Sequence, residues 1–242
     1  LGIVKEYAMD RHSYLVRIDL GTHKTSIITS NGSREVMYTA VGWPKDHVSR
    51  KMLGRDVIFG SEVFEKRLAL EVVRPFEKGA LKFGDALKAG LDDSSVNKRR
   101  EAARLIVKHA LEMTQPPKGV PVFGVIGAPA RATVTNKEFI LEAANHSLDA
   151  AVIVSETFAV AYGLNCLNDA IIVDIGAGTI DLCPVYGTFP SEEDQMTLEI
   201  GGDVIDDEFC QRLQEDIPEI QILPTMARSE EHTSELQSRF GI

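Results

Sequence analysis

The chain has 242 residues, an apolar share of 44% and a formal charge of −10. That size suits one large domain or two modest ones, with enough apolar residues to bury a core. No apolar run approaches the ~20 residues of a membrane span, so direct membrane insertion is not expected, and the acidic balance argues against a broad nucleic-acid surface.

Residues 13–19 read as a buried strand and Thr25–Ser30 as a second. Asn31-Gly32 is a two-residue hairpin signal, and Arg34–Ala40 returns as a third strand. Residues 43–95 are charge-rich and broken by glycines, the pattern of a small inserted subdomain. Residues 97–113 form an amphipathic helix. Ala102, Leu105, Ile106, Ala110 and Met113 share one face, and Lys98, Arg99, Arg100, Arg104 and Lys108 lie on a solvated one. His109 borders the apolar side as a packing residue.

Val122–Gly127 is the next strand, and Thr135-x-x-Glu138 is a capping box that opens a helix through Ser147. Ala151–Val154 is short and β-rich. Glu156–Gly163 is helical, with Gly163 expected just past its end. Ala170–Asp174 and Thr179–Tyr186 pair as a hairpin, Met196–Ile200 is a further strand, and Asp203 caps a final helix that carries Val204, Ile205, Phe209 and Leu213. Cys166, Cys183 and Cys210 lack any CxxC spacing and read as buried free thiols of a reducing cytoplasm.

Both ends are expected to be foreign. Residues 1–8 precede Met9, a plausible start. Arg228-Ser-Glu-Glu-His-Thr-Ser-Glu-Leu-Gln-Ser238 reads codon for codon as a translated sequencing adapter, so 228–242 are set aside.

The strongest signal is an internal repeat. Arg17–Ile27 aligns with Val173–Leu182. Each copy has a strand ending in Asp, an apolar residue, Gly, a tight turn and a return strand. Asp19 and Asp174 hold equivalent places. Such turns bring backbone N–H groups close to anionic oxygens. Gly21, Thr22 and His23 in one copy, and Gly176, Ala177, Gly178 and Thr179 in the other, are therefore candidates to cradle a triphosphate. Thr22, Thr25 and Thr179 can add hydroxyl donors. A carboxylate at each strand end suits Mg²⁺, which keeps several waters and needs few protein ligands. Glu156 follows an apolar strand and opens a helix. Its carboxylate can orient an attacking water or simply complement a helix N-terminus, and position alone does not choose. Gly201-Gly202, between a strand and a helix, can present N–H groups to phosphate or ribose.

These pieces resemble the superfamily of actins, heat-shock chaperones and sugar kinases. Arg17–Ser26 is similar to its first phosphate motif, Val173–Leu182 to its second, and Ile200–Asp203 to its glycine step near the adenosine. Within that superfamily Ile126–Ala132, Asn136-Lys137, Val154–Glu156, Tyr162–Leu164, Val41–Lys45 and Met52–Arg55 resemble the MamK family of magnetosome actins. Thr157 departs from that pattern, where Pro is usual nearby, and so does Ile180, where Thr is usual.

The resemblance implies an α/β, actin-like (ribonuclease H-like) duplicated fold, with two lobes around a nucleotide cleft. The first lobe would span 13–164, with an insertion at about 43–95, and 165–227 would begin an incomplete second lobe. It implies an ATPase with ATP and Mg²⁺ as cofactors, Glu156 as the water-activating residue, and Asp19 and Asp174 near the metal, through water. It also implies a cytoplasmic filament whose partners are further copies of itself and magnetosome-associated proteins. A rod-shape (MreB-type) actin or a chaperone-type ATPase is the alternative. A sugar kinase would need a substrate pocket and base that the sequence does not reveal. A piece lacking the adenosine cradle is expected to clasp phosphates poorly, to hydrolyse nothing and not to polymerise alone.

Overall fold

Along Tyr14–Leu20 (β2) burial alternates strictly. Tyr14, Val16, Ile18 and Leu20 point into the core, and Leu15, Arg17 and Asp19 point the other way. This puts Asp19 on the face opposite the helices, and the site depends on that. The computed structural model describes residues 2–4, 13–76, 93–191, 193–222 and 224. The tail 228–242, Met9 and most of 1–8 lie outside the described residues.

β2 sits inside a six-stranded sheet of order β1-β9-β8-β2-β3-β4. Its other strands are Gly2–Val4 (β1), Lys24–Thr29 (β3), Arg34–Tyr38 (β4), Val122–Ala128 (β8) and Ala150–Ser155 (β9). β2, β8 and β9 run parallel, and β3 and β4 continue as antiparallel hairpins. The β3–β4 turn has Gly32 at φ 89°, the left-handed position its Asn-Gly signal predicts. β1 pairs antiparallel with β9, so residues 2–4, left outside the first lobe in the sequence reading, add an edge strand.

Among the described residues two helices cover one face of this sheet: Asp93–Met113 (α3) and Val134–Ala144 (α4). Ile106 and Val107 of α3 and Phe139 and Ile140 of α4 join Val16, Ile18, Ile27 and Ile126 in one core. The basic face of α3 is neutralised in part by carboxylates: Lys98 pairs with Glu71, Arg104 with Glu101 and Lys108 with Glu112. His109 stacks on Phe59 at 4.1 Å.

Residues 43–95, expected to be irregular, contain a second small sheet. It has order β6-β5-β7 and is built from Val41–Pro44 (β5), Ile58–Phe59 (β6) and Leu70–Val73 (β7). Two short helices, His47–Leu53 (α1) and Ser61–Glu65 (α2), accompany it. Ala40, Ile58, Val63 and Leu70 give it a core of its own. The sequence conceals these elements because each is too short to show a period.

The third sheet is antiparallel, of order β10-β11-β12: Ala170–Ile175 (β10), Ile180–Val185 (β11) and Met196–Leu198 (β12). Glu156–Gly163 (α5) packs on it through Ala161, against Ile172, Cys183 and Val185. Gly202–Asp216 (α6) follows.

Several local expectations are corrected. Thr133, not Thr135, caps α4, because its extended backbone lets its side chain accept from the Asn136 N–H at 3.3 Å, and the helix ends at Ala144. Gly163 stays inside the last turn of α5, and Asn165 takes the left-handed position at φ 55°. Gly201, in extended conformation, precedes α6, so Asp203 lies within the first turn and does not cap it. Cys183 and Cys210 are buried, but Cys166 is exposed just after α5.

Candidate active site

The two hairpins repeat each other to the level of single contacts. Asp19 lies opposite Ser26 and Asp174 opposite Asp181. The closing pairs are Leu20–Thr25 and Ile175–Ile180, so both turns have the same length. A Cβ on Gly21 would come within 2.6 Å of the Lys24 carbonyl oxygen, and one on Gly176 within 3.3 Å of the Thr179 carbonyl oxygen. Both turns fold back on their own last residue, closely enough at Gly21 to exclude a side chain and less closely at Gly176, and neither glycine sits in a left-handed backbone.

One cleft of about 270 Å³ brings these turns together. Its walls include Asp19, Gly21, Thr22, His23 and Lys24 from the first hairpin, and Asp174, Gly176, Ala177, Gly178 and Thr179 from the second. Glu156, at the start of α5, forms part of the same wall. It fits there because Gly127 on the neighbouring strand has no side chain: a Cβ at Gly127 would lie 3.0 Å from the Glu156 Cγ. α5 begins at Glu156 without a proline. Ser155 precedes it, and the Ser155 and Thr157 hydroxyls lie 2.8 Å apart.

The carboxylates raise one another's proton affinity. Glu156 is pushed up to about 8, first by desolvation, then by the charges of Asp19, Asp174 and Asp181, with Arg17 opposing. Asp19 is raised by desolvation and by Asp174, and Asp174 by desolvation and by Asp181. This concentration of negative charge fits a divalent cation in the cleft. Among the described residues no group of three His, Cys, Asp or Glu side chains is placed to hold a metal ion directly.

Other predicted site residues are placed differently. Gly201 and Gly202 do not line the cleft; they brace the second turn from behind. The Gly202 N–H donates to the Gly176 carbonyl at 3.1 Å, and the Asp203 N–H donates to the Ala177 carbonyl at 2.8 Å. The Gly202 N–H, expected to face phosphate or ribose, is thus spent on the turn, and a Cβ on Gly201 would lie 2.5 Å from the Ala177 carbonyl oxygen. The Thr25 hydroxyl is buried against that of Thr39 at 2.9 Å, not turned to the cleft. The Thr179 hydroxyl donates to Asp181 at 3.2 Å.

Asp181 itself was missed in the sequence. It is 2% exposed and takes hydrogen bonds from the Ala130 N–H at 3.0 Å, from Thr179 and from the Thr197 hydroxyl. The Arg131 N–H reaches the Thr197 hydroxyl at 3.2 Å, and the Ser155 hydroxyl donates to Gln195 at 2.9 Å. The loop between β8 and α4 is thereby fastened to the β11–β12 pair. The repeat alignment could have marked Asp181, because it stands where the first copy has Ser26.

Residues 9–239 match the family Actin. The chain belongs to the actin family. Its duplicated hairpins and facing turns have the actin-like fold expected from the sequence.

Among curated actin relatives, the actin-like protein MamK of Magnetospirillum gryphiswaldense is 39% identical over 210 residues, which are 87% of this chain and 55% of the relative. The chain thus spans little more than half the length of that actin. A MamK double helical filament superposes with a TM-score of 0.79 at 36% identity, covering 89% of this chain and 63% of the other. A non-polymerising MamK mutant bound to AMPPNP gives 0.65 at 36% identity, covering 90% and 64%. MreB5 of Spiroplasma citri bound to ADP gives 0.67, covering 89% and 60%; at 17% identity it shows the shared fold alone.

Proposed function

We propose that this chain supplies both phosphate turns and the catalytic carboxylate of a MamK-like filament actin that binds and hydrolyses ATP. The observation that carries the reading is the cleft of about 270 Å³ where Asp19, Glu156 and Asp174 meet beneath two equivalent hairpin turns. The likeness to MamK at 36–39% identity, against 17% for MreB5, supports the magnetosome type over the rod-shape type.

In this reading Gly21, Thr22 and His23 grip the phosphates from one lobe, and Gly176, Ala177, Gly178 and Thr179 grip them from the other. The first lobe is 13–164, with its insertion, and 165–227 open the second. Asp19 and Asp174 are the residues that would hold a hydrated Mg²⁺, and such an ion would offset phosphate charge. Glu156 orients the attacking water and accepts its proton. Balancing the charges of Asp19 and Asp174 removes two of the influences that raise Glu156 and so favours its ionised form; desolvation, the largest, and Asp181 remain. Gly201 and Gly202 hold the second turn in shape. Self-assembly into cytoplasmic filaments, and contact with magnetosome-associated proteins, belong to the same proposal.

The test is Mg²⁺-dependent ATP turnover and sedimentation by the full-length protein. ATP-dependent pelleting together with phosphate release is expected. A protein that binds no nucleotide would overturn the reading.

A further inference from the structure

Arg74 leaves the small sheet directly after β7, and its side chain reaches the turn of the first hairpin. Its side chain is only 13% exposed. The guanidinium Nη2 lies 3.5 Å from the carbonyl oxygen of Thr22, in the first phosphate turn. The same nitrogen lies 3.9 Å from Oδ2 of Asp203. Asp203 stands in the first turn of α6, and its own N–H donates to the Ala177 carbonyl of the second phosphate turn. One side chain therefore joins three bodies: the small sheet, the first turn, and the helix start that braces the second turn. Guanidinium chemistry suits such a joint, because it stays charged and can serve a carbonyl and a carboxylate at once.

We infer that Arg74 is a positioning residue that clasps the cleft closed over a bound nucleoside triphosphate. The inference rests on the nucleotide-clamp reading above. Arg74 grips the supports of the two turns: the Thr22 carbonyl on one side, and Asp203 on the other. Opening the cleft separates these anchors, so the Arg74 contacts must break before a ligand can leave. Removing the side chain therefore speeds release and leaves the hydrolysis step, which belongs to Glu156, unaltered. The small sheet becomes mechanically coupled to the occupancy of the cleft.

The experiment is stopped-flow release of a fluorescent ATP analogue, with Mg²⁺, from full-length wild type, Arg74→Ala, Arg74→Lys, Asp203→Ala and the Arg74→Ala/Asp203→Ala double variant. Arg74→Ala should release nucleotide about ten-fold faster, the scale of one charge-assisted contact. Asp203→Ala should speed release by less, and the double variant should be no faster than Arg74→Ala, because both act through one joint. Arg74→Lys should fall between wild type and Arg74→Ala. The rate constant for hydrolysis of the bound triphosphate, read in a single turnover at saturating protein, should be unchanged throughout. Should Arg74→Ala fail to fold, the lysine and Asp203 variants carry the test, and wild-type release rates in both would overturn the clasp. Fully additive effects of Arg74→Ala and Asp203→Ala would also overturn it. So would faster release of the triphosphate analogue alone with Asp203→Ala silent, since that marks direct phosphate contact. Absence of nucleotide binding in wild type would sink the clamp reading and the clasp together, whereas tight wild-type binding with unchanged release in Arg74→Ala sinks the clasp alone.

Discussion

The carboxylate of Asp181 accepts the backbone N–H of Ala130 at 3.0 Å, across the boundary between the two main sheets. Asp181 lies on β11, opposite Asp174, and Ala130 lies in the loop that leads from β8 into α4. The bond fixes the turn of the second hairpin relative to the sheet that carries the first. Thr179, at the end of that turn, donates to the other oxygen of the same carboxylate.

Asp181→Ala should therefore be costly. It leaves the Ala130 N–H and two threonine hydroxyls without their acceptor in a buried place. One stranded buried group costs ~1–3 kcal/mol, so a loss of roughly 2–4 kcal/mol is expected by urea denaturation. A loss below about 0.5 kcal/mol, the scale of an indifferent surface change, would show that the tie carries no weight.

The pH dependence of stability isolates Glu156. Its folded pKa is raised to about 8 from an ordinary 4.5. Between those values the folded state binds more protons than the unfolded one, so stability falls as pH rises through the window and levels off above it. Glu156→Gln removes that slope. Without Mg²⁺ or nucleotide, the two proteins should be nearly equal near pH 4.5, and the glutamine variant should gain with rising pH, by roughly 3–5 kcal/mol at most. Parallel stability curves from pH 5 to 9 would mean that Glu156 is not held in its neutral form.

The glycines should rank by what a methyl group would meet. Gly201→Ala and Gly21→Ala bring Cβ to 2.5 and 2.6 Å of backbone carbonyl oxygens, which cannot move without reshaping the turn. Gly176→Ala meets its neighbour at 3.3 Å. The first two should each cost about 2–3 kcal/mol or more and the third less, as read from thermal midpoints. The same order should appear in nucleotide affinity. Equal costs at Gly21 and Gly176 would contradict the close-approach account.

Much of the site was legible because its chemistry is local. A strand ending in Asp followed by a glycine turn is a contiguous pattern, and its repetition marked Asp19 and Asp174 as partners before any coordinates. Glu156 was visible as a carboxylate at a strand-to-helix junction, but its place in the cleft was not, because that depends on Gly127 of another strand. The repeat alignment pointed to the position of Asp181 but not to its bond with Ala130, and the bonds from Gly202 and Asp203 to the second turn were likewise hidden. These bonds engage backbone groups distant in sequence, and such bonds leave no pattern in the side chains. The small sheet of β5, β6 and β7 escaped because strands of two to four residues show no alternation. Cap positions shifted by one or two residues wherever several threonines or glycines competed, as Thr133 did with Thr135.

Asp174 and Glu156 should fail in different ways when removed from the full-length protein. On the proposed reading Asp174→Ala takes away a partner of a hydrated cation, so affinity for Mg²⁺-nucleotide should drop together with turnover. Titration with a fluorescent ATP analogue at several Mg²⁺ concentrations reads this directly. An affinity that is unchanged and independent of Mg²⁺ would remove Asp174 from the metal site.

Phosphate release by Glu156→Ala at saturating Mg²⁺-ATP tests the central claim. A residue that orients and deprotonates the attacking water does not hold the ground-state phosphates, so binding should persist. The rate should fall by ~10²–10⁴, the usual contribution of a positioned base. Filaments should still assemble and then fail to turn over. Hydrolysis at the wild-type rate would contradict the account and leave Glu156 as no more than a charge at the start of a helix.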